Sequence, residues 1–211
     1  MKGKLARIAT AFAVALMTGA AAQAAPEILT DPAKLTAKAP DTFKAKFETT
    51  KGTIVIEVYR AWSPNGADRF YNLVKSGYYD GVKFFRVVPD FVAQFGIHGD
   101  PSIATKWLKS SIQDDPVRES NKRGTLTFAM SAQPNSRSVQ MFLNLKDNAF
   151  LDAKGFAPVG KVVTGQDVVD QLYNGYGEGL TQLQGRIASE GNAFLEKNYP
   201  QLDGIKKAVI E

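Results

Sequence analysis

The chain has 211 residues, 44% of them hydrophobic and 22% charged, with a formal net charge of +5. That composition suits one packed globular domain with additions and excludes a disordered or low-complexity chain. With no cysteine and one histidine, His98, disulfides, thiol chemistry and the usual zinc ligand sets are excluded. No Lys/Arg cluster interleaved with stacking aromatics points to nucleic acid.

The first residues read as an export signal. Lys2, Lys4 and Arg7 form a basic start, Ile8 to Met17 is mostly apolar, and Ala22-Gln23-Ala24 supplies small residues for cleavage. The apolar run is too short to cross a hydrocarbon core of roughly 30 Å, so an anchor is disfavoured. No cysteine follows it for lipid attachment. Removing residues 1–24 deletes those three cations and no acid, which lowers the net charge from +5 to +2.

Residues 25–42 show no sustained periodicity and read as a linker or irregular arm, with the folded unit expected over 43–211. Phe43, Ala45 and Phe47 alternate with polar residues, and Thr53 to Tyr59 is β-branched, so a hairpin turns at Thr49–Gly52. Ser63-Pro64 starts a helix, Ser as N-cap and Pro at the first position, with Ala67, Phe70 and Val74 on one face and Gly77 as the stop. Strands are expected at Val82–Val88, Phe91–Phe95, Thr125–Met130, Gln140–Asn144 and Pro158–Val162, and a second helix at Gln166–Tyr173. Leu183 to Asn198 reads as a further helix and Ile205 to Ile210 as a last strand that could pair back. Many short strands with two core helices predict a β-barrel capped by helices.

The run Ser76-Gly77-Tyr78-Tyr79-Asp80-Gly81-Val82-Lys83-Phe84-Phe85-Arg86-Val87-Val88-Pro89-Asp90-Phe91-Val92-Ala93-Gln94 holds many fixed positions at fixed spacing. A second block comprises Pro134-Asn135-Ser136, Gln140-Met141-Phe142, Phe150-Leu151-Asp152 and Val159-Gly160-Lys161-Val162. Together they resemble the signature of the cyclophilin family over residues 43 to 174. The resemblance implies a mainly β fold: a closed eight-stranded antiparallel β-barrel capped by two helices, here with an extra C-terminal helix in an extension over 180–211. It also implies peptidyl-prolyl cis–trans isomerase activity on proline-containing, unfolded or flexible polypeptides.

The chemistry can be reasoned from the bond itself. Twisting an X–Pro amide through a barrier of about 18–20 kcal/mol breaks its conjugation and leaves a lone pair on the proline nitrogen. A fixed donor aimed at that nitrogen stabilises the twisted state more than the planar one, without nucleophile, metal or cofactor. The resemblance puts this donor at Arg86, with Phe91, Val92, Phe142 and Leu151 around the proline ring and Gln94 orienting the arginine or the substrate carbonyl. Ala129, Met130 and Gln140 are implied to line the groove for the preceding residues, with Phe150 and Phe156 completing the substrate-binding set. Uncatalysed isomerisation takes tens of seconds, so a turnover near ~10³ per second requires about 7 kcal/mol. One charged hydrogen bond contributes about 1.5–3 kcal/mol, so the apolar wall must supply much of the rest.

The sequence departs from the family in five places. Phe85 stands before Arg86 where His is common. Phe150 stands where many eukaryotic members carry Trp and Phe156 where His or Tyr is common; the missing indole N–H predicts weaker binding of cyclosporin-like peptides. Phe95-Gly96-Ile97-His98-Gly99-Asp100 replaces a simpler loop, and Leu180 to Tyr199 exceeds what a minimal member needs. His98 is expected in a local hydrogen bond, Trp62 and Trp107 in packing, and Asp114/Asp115 not to form an acid/base pair. The expected protein is a monomer, exported to the periplasm, without membrane insertion after cleavage and without metal or nucleic acid. A chaperone or peptide-binding module with incidental turnover is the alternative.

Overall fold

The computed structural model describes residues 27–211; the expected export signal lies outside the described residues. Among these, eight strands are ordered in chain sequence as β1 Thr42–Thr49, β2 Thr53–Tyr59, β3 Arg86–Val88, β4 Val92–Phe95, β5 Thr125–Phe128, β6 Met141–Asn144, β7 Pro158–Thr164 and β8 Ile205–Ile210. The helices are α1 Pro64–Lys75, α2 Pro101–Trp107, α3 Gln166–Asp170 and α4 Gln184–Asn198.

The β1–β2 hairpin forms as the alternation requires, with Phe43, Ala45, Phe47, Ile54, Ile56 and Val58 all facing the core. Gly52, at φ +144°, closes its turn, where Thr49 Oγ1 donates to the Gly52 carbonyl at 2.7 Å. α1 lays Phe70 between Phe43 and Tyr79, and Phe47, Tyr79 and Phe95 complete a cluster of rings with centroids 5.4–6.3 Å apart. Burying each such side chain contributes about 1.5–3 kcal/mol.

The strands form one antiparallel sheet in the order β3-β4-β6-β5-β7-β2-β1-β8. It is a curled, open sheet and not the closed barrel expected from sequence. Closure would need β3 to pair with β8, but the expected strand Val82–Val88 is reduced to Arg86–Val88. Gly77 and Gly81 adopt positive φ (75° and 77°), so the chain turns ahead of Val82. One isolated bridge, Lys83 with Gly204, and hydrogen bonds such as Ile205 N to Val82 O (2.8 Å) join the two edges.

Ser63 occupies the N-cap position of α1, but its side chain makes no cap bond. Ser63 Oγ donates instead to Asp115 Oδ2 (2.5 Å), and Asp115 accepts from the amides of Asn65 (3.1 Å) and Gly66 (2.9 Å). A carboxylate from a distant loop thus caps the helix. Asp114 and Asp115 both pair with the buried Arg137, at 3.2 and 3.0 Å. The helix expected over Gln166–Tyr173 stops at Asp170, after which Tyr173 N donates to Asp203 Oδ2 (2.7 Å). α2 was not foreseen; Asp100 caps it by accepting from Ser102 N at 2.8 Å.

A second, smaller core lies against this sheet. Phe85, Ile97 and Ala104 are buried with Leu180, Ile187 and Phe194 of the C-terminal segment. α4 breaks at Gly191 (φ 65°, ψ −156°), a backbone region open essentially to glycine. There a Cβ would sit 2.1 Å from the Gly99 carbonyl oxygen, and Asn192 N donates to that same oxygen at 2.9 Å. The segment 25–42, where described, makes 3-10 turns at Glu27–Thr30 and Pro32–Lys34, and the Leu29 carbonyl accepts from Trp107 Nε1 at 2.8 Å.

Candidate active site

Sheet register assembles the site. Arg86 on β3 lies opposite Gln94 on β4, which lies opposite Phe142 on β6, so three neighbouring strands place these side chains in one row. Val92, Phe142 and Leu151 form a buried apolar cluster, with Phe91, Ala129 and Phe156 packed against it. The Phe142 and Phe156 rings meet edge to face, centroids 5.8 Å apart.

Phe91 is held from behind. Its carbonyl accepts from Leu145 N and from Asn148 Nδ2, both at 2.9 Å. Leu151 sits on the 3-10 turn Ala149–Lys154, closed by Gly155 at φ 86°. Asp152 ties that turn down by accepting from Ser120 Oγ (2.6 Å) and from both nitrogens of Asn121 (2.9 and 2.7 Å). Burial pushes the Asp152 carboxyl pKa up, but these bonds outweigh it and leave the pKa below its usual value.

The result is a cavity of about 250 Å³ whose lining includes Arg86, Phe91, Val92, Gln94, Ala129, Met130, Phe142, Leu151 and Phe156. A neighbouring cavity of about 350 Å³ shares Gln94, Ala129 and Met130 and adds Gln140. Phe150 stays outside both, 55% exposed, with its ring stacked on Phe91 at 6.1 Å. Ten of the eleven residues singled out from sequence therefore border these two cavities, and Phe150 stands on their rim.

Arg86 crosses the mouth of the apolar cup. Its Cζ lies 5.2 Å from the Phe91 centroid, and Nη1 donates to Gln94 Oε1 at 3.0 Å. Gln94 Nε2 donates to Gln140 Oε1 at 2.9 Å. Sequence reasoning missed the acidic partner of this arginine. Glu178 takes Arg86 Nε and Nη2 in a two-point ion pair, 2.7 and 2.6 Å, and Thr181 and Gln184 line the cup. Arg86 beside Glu178 holds that carboxyl below the usual glutamate value, its hydrogen bonds outweighing partial burial. Gln140 Nε2 donates to Gln184 Oε1 (3.0 Å), and Thr181 Oγ1 donates to Glu178 (2.7 Å). No local pattern marks Glu178, which lies in a glycine-rich stretch 92 residues from Arg86.

His98, set aside as locally bonded, accepts at Nδ1 from Asp100 N at 2.9 Å and packs beside Tyr78. The cup contains no nucleophile–base pair. What it offers is an apolar seat with room for a small ring, with one guanidinium at its edge.

Comparison with known proteins agrees. A family model described as cyclophilin type peptidyl-prolyl cis-trans isomerase/CLD matches residues 44–190. A peptidyl-prolyl cis-trans isomerase of Acinetobacter baylyi is 37% identical over 134 residues, spanning 61% of this chain and 71% of the relative. Peptidyl-prolyl cis-trans isomerase B of Escherichia coli is 32% identical over 134 residues, spanning 60% and 81%. Among solved structures, cyclophilin AquaCyp293 from Hirschia baltica superposes with a TM-score of 0.56 at 22% identity, covering 82% of this chain and 74% of that one. A Cryptosporidium parvum cyclophilin type isomerase gives 0.58 at 20%, covering 81% and 98%; these two likenesses speak for the fold. With the family matched across most of its length and in the segment that builds the cup, this chain belongs to the cyclophilin-type peptidyl-prolyl cis-trans isomerases.

Proposed function

We propose that this isomerase acts on X–Pro bonds of exported, unfolded or flexible polypeptides, assisting their folding, with Arg86 as the donor to the twisting proline nitrogen. The observation that carries the reading is the guanidinium braced over Phe91 and against Gln94 at the edge of the apolar cup. Of its five N–H donors, three are engaged by Glu178 and Gln94, leaving one on each terminal nitrogen for substrate. The proline ring enters among Phe142, Leu151 and Val92. Low local polarity there disfavours the planar, more polar amide relative to the twisted one. The peptide residues before proline run toward Ala129, Met130 and Gln140.

The export signal read at residues 1–24 supports a periplasmic protein that is not inserted in the membrane after cleavage. The test is proline isomerisation of a tetrapeptide by wild type, Arg86→Ala and Phe142→Ala, with folding checked by circular dichroism. Arg86→Ala should lose about 10- to 100-fold in kcat/KM, the value of one charged hydrogen bond. Phe142→Ala should lose at least as much. Unchanged turnover in folded Arg86→Ala overturns the mechanism. Refolding of a proline-free client by Arg86→Ala would instead favour a binding role.

A further inference from the structure

Glu178 meets Arg86 at two points, and nothing in that contact is accidental to the local chain. Gly177, at φ 46°, and the bonds Gly179 N to Tyr176 O (2.8 Å) and Thr181 N to Glu178 O (3.0 Å) shape its turn. Two residues on, Leu180 is fully buried in the cluster that contains Phe85. Thr181 Oγ1 holds one carboxylate oxygen, and Gln184 reaches Gln140. Gln184 Nε2 donates to the Thr181 carbonyl at 3.2 Å, so a closed ring of hydrogen bonds runs Arg86, Gln94, Gln140, Gln184, Thr181, Glu178 and back to Arg86.

We propose that Glu178 is a positioning residue of the isomerase site: its carboxylate fixes the plane of the Arg86 guanidinium so that the two remaining N–H groups face the bound prolyl peptide. This rests on Arg86 being the donor.

An unpaired arginine side chain samples many rotamers, and ordering it during the reaction raises the barrier. Here the ordering is done before substrate arrives. The Phe91 face, Gln94 and Glu178 contact the guanidinium from three directions. The contact leaves the site open. The cup keeps about 250 Å³ free, with Thr181 and Gln184 on its rim, so a proline ring can enter while Glu178 stays in place. Glu178 is itself mostly solvent-exposed, as suits a residue at the lip and not within the pocket.

The test uses the full chain with Glu178→Gln and Glu178→Ala, alone and combined with Arg86→Ala, assayed on the tetrapeptide. A glutamine amide can accept from one arginine N–H but sets its own N–H against the other, so one of the two bonds is lost. The expected result is a kcat lowered roughly ten-fold, the scale of one charge-assisted bond, with KM within about two-fold. In the Arg86→Ala background Glu178→Gln should change nothing more, since no guanidinium remains to be placed. By NMR, the Arg86 Nε–H proton should exchange slowly in wild type and fast in Glu178→Gln. An unchanged kcat in both Glu178 variants, with Arg86→Ala inactive, overturns the positioning role and leaves the mechanism standing. A rise in kcat/KM through a lower KM also overturns it, by making the carboxylate a competitor of substrate. Full activity in Arg86→Ala removes the mechanism itself, and is read separately.

Discussion

The apolar cup and the C-terminal layer are built by different means. The cup is a product of strand register: β3, β4 and β6 set Arg86, Gln94 and Phe142 in a row, and one short turn adds Leu151. The C-terminal layer has no strand in common with it. It is seated by side-chain burial, and its seats are positions where the sequence leaves the family pattern: Phe85 beside Arg86, and Ile97 and Gly99 in the loop after β4. Phe85, immediately ahead of β3, is buried in the second core, while Arg86, the first residue of β3, lines the groove. The difference teaches that features read separately from sequence, an altered loop, an unusual Phe and a long tail, form one structural unit. That unit reaches the groove through Glu178, Thr181 and Gln184.

Emptying the seat is the largest expected blow to this two-part picture. Phe85→Ala should destabilise the protein by about 3–5 kcal/mol, the usual cost of deleting a buried aromatic ring. If the second core holds Glu178 in place, kcat in the folded fraction should also fall to the level of Glu178→Gln. Urea unfolding paired with tetrapeptide kinetics checks both. Lost stability with an intact kcat would break the link between the two regions.

Gly191→Ala strikes a second seat of the same layer, where α4 meets the loop after β4. Its φ of 65° with ψ −156° strains any side chain, and the new Cβ would lie 2.1 Å from the Gly99 oxygen. Strain of this kind costs on the order of 1–3 kcal/mol, and the collision adds to it. Limited proteolysis should then cut between Gly175 and Tyr199 while the sheet stays intact. A protection pattern equal to wild type would show that the loop and α4 are not in register as described.

How much of this was legible depends on range. The hairpin, α1 and β8 could be read because alternation and 3.6-residue spacing are local properties. The cup residues were legible through the signature, which preserves spacing around β3, β4 and β6. The open sheet was not, because closure depends on whether Gly81 lets the chain run straight or turn. α2 spans seven residues, too few for a period to emerge, though Ile103 and Trp107 are buried. Glu178 and Asp115 were missed for one shared reason. Each meets its partners, Arg86 and the start of α1, across long stretches of chain, and nothing beside either residue in sequence announces the pairing.

A smaller effect should separate the two regions by pH. His98 lies in the loop that seats α4, its ring beside Tyr78 and its Nδ1 accepting from the Asp100 amide. Burial holds its pKa below the ordinary 6.5, against the pull of the Asp100 and Asp80 charges. The neutral ring is thus the form the fold accommodates, and a proton on Nδ1 would cancel the bond from Asp100. As pH falls below 6.5 the unfolded chain takes up this proton first, so stability is full above that value and declines as pH drops toward the folded pKa. Glu178 and Asp152, whose pKa values are held below the usual carboxylate range, titrate at lower pH and do not contribute to this step. The urea midpoint of wild type should hold above about pH 6.5 and decline as pH falls below it, and less so in His98→Asn, whose Oδ1 keeps an acceptor near Nδ1 without titrating. Hydrogen exchange locates the change. The Asn192 amide, bonded to Gly99, should lose protection before the Leu143 amide in the sheet does. Equal loss at both sites would mean that the sheet and the C-terminal layer open as one unit, and that their separate construction has no thermodynamic counterpart.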